Sequence, residues 1–166
     1  WIFQKKLNTR YDSLYTNASL QLKDSALHYY NKNIQQYQRV KKGAPYIAAA
    51  YQNLAYILSD YEQYKKSDLY INKAIAINKT LYNDNHSVLI GTLNMKALLY
   101  IYQEKYHKAI ALEKLVLQKA TDTSNIEVLD KKRTALNNLE YIYKKTNNYK
   151  KAYTYAKQLA DVTDAI

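Results

Sequence analysis

Five side-chain amides carry most of the chemistry this sequence offers: Gln52, Asn53, Asn94, Asn137 and Asn138. Gln52, Asn94 and Asn137 are separated by 42 and 43 residues. Asn53 follows the first of these three and Asn138 the last. A side-chain amide has two N–H donors and an oxygen acceptor. An extended peptide backbone presents donors and acceptors in alternation, so a row of such amides suits it. Asparagine is a mediocre helix former, and its return inside helical stretches wants a reason. The competing explanation is composition, because asparagine is common throughout the chain.

Catalytic chemistry is poorly provided for. His28, His86 and His107 lie far apart in sequence, and no pair of them falls at a metal-ligand spacing. Cysteine is absent, which removes disulfides, thiolate metal sites and the thiol nucleophile. Gly43 and Gly91 stand alone, so no glycine-rich loop can cradle a phosphate. Asp60 and Glu62 are close in sequence but sit near a turn and read as solvated. The expectation is a non-enzyme with no metal and no cofactor.

The elements that must position the amides are helices. Two glycines and one proline in 166 residues are too few for the turns of an all-β domain. Apolar residues recur at helical spacing in Tyr51, Leu54, Ala55 and Leu58, in Leu93, Ala97 and Tyr100, and in Leu136, Leu139 and Tyr143. Each run is followed by a short polar stretch and a similar phrase: Gln-Tyr-Lys-Lys-Ser at 63–67, Lys-Tyr-His-Lys-Ala at 105–109, Asn-Tyr-Lys-Lys-Ala at 148–152. A second helix comes next, through Leu69 to Ile77, Ile110 to Leu117 and Tyr153 to Leu159. Helix, turn and helix make one repeating unit. A weaker unit precedes these, with Tyr11, Leu14 and Tyr15 on its first helix and Ala26 and Tyr30 on its second. Between units, Gly43 and Pro45 read as a helix stop and start, Asn83, Asp84 and Asn85 as N-caps, and Ser124 with Glu127 as a capping box. Most of the 20 tyrosines fall at seam positions and read as core.

The small and large residues resemble the tetratricopeptide repeat. Ala55 and Ala97 match its first small position, and Leu58, Tyr100 and Tyr143 match the aromatic that ends the first helix. Tyr64, Tyr106 and Tyr149 match the tyrosine that opens the second helix. Ser67, Ala109, Ala152 and Ala74 match the later small positions. Departures are Glu140 at the first small position, Glu113 at the aromatic position of the second helix, and Val116 and Leu159 at the last small position. The pitch is longer than the family's usual value of about 34 residues. The resemblance implies an all-α fold of about eight helices, a right-handed superhelical solenoid of antiparallel pairs. It divides the chain into units of approximately 7–47, 48–89, 90–132 and 133–166 within one domain, read as a fragment of a larger bacterial regulatory or signalling protein.

In such a superhelix the first helices line a concave face, and family members bind extended peptides or helices there. By repeat phase this face holds Tyr15, Gln52, Asn53, Tyr56, Asn94, Leu98, Tyr102, Asn137, Asn138, Tyr141 and Lys145. Tyrosine beside an amide adds flat contact area at little rotamer cost. The net charge of +11 admits an acidic protein or peptide partner. It also keeps open a nucleic-acid-binding array that uses backbone contacts and stacking tyrosines. A third reading is a structural spacer whose open ends self-associate. No run of 18 apolar residues exists, so membrane insertion of this segment is not expected. The bacterial cytoplasm or periplasm are the expected settings.

Overall fold

The computed structural model describes residue 21 and residues 23–165. Seven helices and no strand lie among these residues: α1 (23–37), α2 (Ala44–Asp60), α3 (Tyr64–Leu81), α4 (Ser87–Tyr102), α5 (Tyr106–Lys119), α6 (Ile126–Lys145) and α7 (Tyr149–Thr163). The further helix expected around Tyr11, Leu14 and Tyr15 lies outside the described residues. Among the described residues no helix is long and apolar enough to cross a membrane.

The repeat is written into the backbone. Residues 61–63, 103–105 and 146–148 join α2 to α3, α4 to α5 and α6 to α7, and each connection turns on one residue with positive φ. These are Glu62 at 57°, Glu104 at 55° and Asn147 at 57°. The hydrogen bonds repeat as well. Glu62 N–H donates to the Ser59 carbonyl and Gln63 N–H to Leu58; Glu104 pairs with Ile101 and Lys105 with Tyr100; Asn147 pairs with Lys144 and Asn148 with Tyr143. This is the Schellman arrangement, in which two backbone N–H groups satisfy carbonyls that a helix end leaves open. The following residue, Tyr64, Tyr106 or Tyr149, opens the next helix each time.

Packing follows the same period. The helices pair α2 with α3, α4 with α5 and α6 with α7, and small residues let each pair approach. Ser67, Ala109 and Ala152 are all buried. The Ser67 hydroxyl donates to the Ala55 carbonyl at 2.7 Å, so its polar atom is satisfied inside the α2–α3 contact. The backbones of α2, α4 and α6 also approach one another in order, whereas those of α3, α5 and α7 do not come as close. Apolar clusters fill the seams. Ile90, Leu93, Val116, Ala120, Val128 and Ala135 join α4, α5 and α6.

Three local expectations are corrected. Gly43 stands at the N-cap of α2, with φ of −78°, rather than at the end of the preceding helix. Its requirement is space: a Cβ there would lie 2.0 Å from the Tyr37 carbonyl oxygen. The α4 N-cap is His86, whose Nδ1 accepts from Val88 N–H at 3.2 Å, while Asn83 caps only its own turn. Asn125, not Ser124, caps α6 by accepting from Glu127 and Val128 N–H. The Glu127 carboxylate instead accepts from Ser87 Oγ at 2.6 Å, a link from α6 back to α4.

The tyrosines are less buried than seam positions suggest. Tyr143 is in the core, Tyr51, Tyr64, Tyr100 and Tyr106 are half-buried, and Tyr149 and Tyr153 are exposed. A phenol buries its ring most cheaply where the hydroxyl still reaches water. Several of these rings carry lysine ammonium groups: Lys73 near Tyr51 and Tyr70, Lys96 and Lys108 near Tyr100, and Lys151 near Tyr143.

Candidate functional site: a cleft between α4 and α6

Gln52 and Asn94 share a repeat position, and both spend their amides holding neighbouring units together. Gln52 Nε2 donates to the Thr92 hydroxyl at 2.8 Å, joining α2 to α4. Asn94 Nδ2 donates to the Lys131 carbonyl at 2.9 Å, joining α4 to α6. Asn94 is only 4% exposed. Thr92 also accepts from Asn78 Nδ2 at 2.9 Å and donates to the Val88 carbonyl, so one hydroxyl ties α2, α3 and α4. The third residue of this series, Asn137, is exposed on α6. Beside it, Arg133 stands where the preceding unit has the buried Ile90, and the exposed Thr163 where it has the buried Ala120.

The structure therefore divides the sequence-predicted residues. Leu98, Tyr102, Asn137, Asn138, Tyr141 and Lys145 come together in one cleft of about 630 Å³. Gln52 opens on a different hollow beside Thr92 and Met95. Asn53 is exposed on α2, and Asn94 is interior. Tyr56 is next to the cleft, its ring meeting that of Tyr102 edge-on with centroids 6.5 Å apart. Tyr15 lies outside the described residues.

The cleft has an apolar floor and mixed walls. Leu98 and Ile101 supply the floor, and Tyr102, Tyr106 and Tyr141 the aromatic surface. Burial, with the Tyr56 hydroxyl next, pushes the Tyr102 phenol above its ordinary range, so it remains a proton donor. Lys145 sits 5.6 Å from the centre of the Tyr141 ring. Lys144 pairs with Glu140 one turn earlier on α6. With Glu104 also on the rim, two cations face two carboxylates. The cleft is electrically balanced although the chain is strongly basic.

Behind the cleft lies a group that sequence reasoning marked only as an irregularity. Glu113 on α5 has no exposed surface. Asn138 Nδ2 donates to its Oε1 at 2.6 Å, and its Oε2 has no hydrogen-bond partner. Burial pushes the Glu113 carboxyl up to about 8, against the smaller opposing pull of the Asn138 hydrogen bond. The signal available in sequence was a glutamate where the resemblance expects an aromatic residue on the second helix. Its partner could not be read, since the two residues belong to different units. No protein-family model matches the chain, and no curated protein matches it either.

Proposed function

We propose that the chain is a non-catalytic protein-interaction module that binds an extended peptide or a helix in the cleft between α4 and α6. In this reading the pairs α2–α3, α4–α5 and α6–α7 are antiparallel hairpins of tetratricopeptide kind. They stack into a right-handed superhelical array, with α2, α4 and α6 on its inner side. The repeated Schellman turns and the closer approach of α2, α4 and α6 support it. The observation that carries the functional part is the convergence of Tyr102, Tyr141, Asn137 and Asn138 on one apolar-floored cleft. Aromatic faces with adaptable amides suit a peptide, whose side chains want area and whose backbone wants hydrogen bonds. The balanced charge of the cleft favours a neutral segment over an acidic one.

A phage-displayed random dodecapeptide library selected on the immobilised chain tests this, followed by calorimetric titration of the recovered peptides. Peptides should bind with shallow salt dependence and lose at least about tenfold in affinity on Tyr102→Ala or Tyr141→Ala, each removing roughly 1.4 kcal/mol or more of anchor contact. Peptides that bind equally well to both variants would place the binding surface elsewhere.

A further inference from the structure

The interior of the fold decides which face of one cleft amide is offered outward. Asn138 lines the cleft and at the same time donates from Nδ2 to the buried Glu113. An amide anchored inward by its nitrogen leaves its oxygen free to accept. Its neighbour Asn137 is exposed on the same cleft and keeps donors and acceptor. The arrangement is particular to this junction. One unit earlier, Ile71 stands in the place of Glu113 and Met95 in the place of Asn138, and both belong to an apolar contact with Ala55 and Leu99. A carboxyl held in a fully buried site with one oxygen unpartnered is costly. Its cost is at odds with a purely packing role, because apolar residues pack the equivalent place.

We propose that Glu113 is the positioning residue of the cleft: it fixes the Asn138 amide with nitrogen inward, so that Asn138 Oδ1 receives a backbone N–H of an extended peptide while Asn137 meets the adjoining carbonyl. This rests on the reading of the cleft as a peptide site. Glu113 touches no ligand and acts only through Asn138. It converts a two-faced amide into an acceptor of defined sense, and so favours a strand-like segment whose N–H groups point at α6 over a helix whose N–H groups are already bonded.

The test has two arms. In the first, side-chain amide NMR of the whole chain follows the Asn138 NH₂ group with no peptide present. One Asn138 amide hydrogen should exchange slowly with solvent; Glu113→Leu should abolish that protection, and Glu113→Gln, which can still accept, should retain it. Rapid exchange of both hydrogens in the unaltered chain overturns the proposal. In the second arm, a selected dodecapeptide is titrated before and after backbone N-methylation at each residue. One N-methylated position should weaken binding at least about tenfold, the loss of one good hydrogen bond. That selective loss should vanish in Glu113→Leu and persist in Glu113→Gln. Equal N-methyl sensitivity in Glu113→Leu and the unaltered chain also overturns it. A selection that yields no cleft-dependent peptide sinks the functional reading, and the exchange arm alone then decides whether Glu113 orients Asn138.

Discussion

Glu113 occupies in α5 the place that Ile71 occupies in α3, 42 residues earlier, and both are fully buried. The difference puts an ionisable group where the preceding unit has an apolar contact of Ile71 with Ala55 and Leu99. Its carboxyl is raised from 4.5 to about 8. The folded chain therefore holds a proton that the unfolded chain releases above about pH 4.5. The contribution of Glu113 is fully present below that value, declines as pH rises, and is lost once pH passes about 8. The limiting slope is about 1.4 kcal/mol per pH unit. Urea denaturation at a series of pH values between 5 and 8 should give midpoints that fall steadily, and Glu113→Gln should flatten the trend. Asp130, held low by hydrogen bonds to Lys131 and Arg133, acts in the opposite sense and only at acid pH, below this window.

Restoring the apolar version of the junction should stabilise the chain. The double variant Glu113→Ile with Asn138→Met reproduces the residues found at Ile71 and Met95. Removing both members of a buried polar pair is neutral or favourable when the replacements fit, whereas removing one strands the other. The double variant is expected to gain about 1–3 kcal/mol at pH 7. Asn138→Met alone should lose about 1–3 kcal/mol by leaving Glu113 without a partner. Chemical denaturation of the three chains gives the comparison directly.

The helical period was legible because it is written in residue sizes. Ala55 and Ala97, Ser67 and Ala109, and Tyr64 and Tyr106 each recur at a fixed step, and the backbone honours that step with the same turn each time. The caps were misread because several polar residues stand side by side at each junction. Among Asn83, Asp84, Asn85 and His86, only the final backbone angles decide which side chain reaches the helix N-terminus. The amides part company for a different reason: Asn94 is interior, Gln52 lines another hollow, and Asn137 and Asn138 line the cleft. Gln52, Asn94 and Asn137 are one series by position, but whether such an amide serves the fold or a ligand depends on a following helix supplying an acceptor. Thr92 and Lys131 do so for the first two, and local sequence around the amides carries no trace of that. The Tyr102–Tyr141 side of the cleft was legible from repeat phase; the Glu113 support was not, because it crosses from α5 to α6.

Thr92 should be one of the most sensitive polar residues in the chain. Its hydroxyl accepts from both Gln52 and Asn78, and Asn78 is buried with its own Oδ1 already unpartnered. Thr92→Val keeps the shape and removes the acceptor. Two donors then lose their partner, one of them fully interior, at a cost of about 1–3 kcal/mol. Thr92→Ser keeps the hydroxyl and should recover most of the loss. Thermal denaturation followed by circular dichroism ranks the three chains, and a Thr92→Val chain as stable as the original would remove the hydroxyl from the account of how α2, α3 and α4 are joined.

The three Schellman turns predict an ordered response to glycine. Glu62, Glu104 and Asn147 all adopt left-handed backbone angles. For a residue with an ordinary Cβ this region costs roughly 1–2 kcal/mol, while asparagine tolerates it better and glycine carries no such penalty. Glycine also gives the unfolded chain more freedom, which offsets roughly 0.4–1 kcal/mol of the gain. Glu62→Gly and Glu104→Gly should each stabilise by about 0.5–1 kcal/mol, and Asn147→Gly should be close to neutral. Alanine at the same sites receives no relief from strain and should not stabilise. Denaturation midpoints for the six single variants decide the matter: an equal response at Glu62 and Asn147 would mean that side-chain contacts, rather than backbone strain, govern these turns.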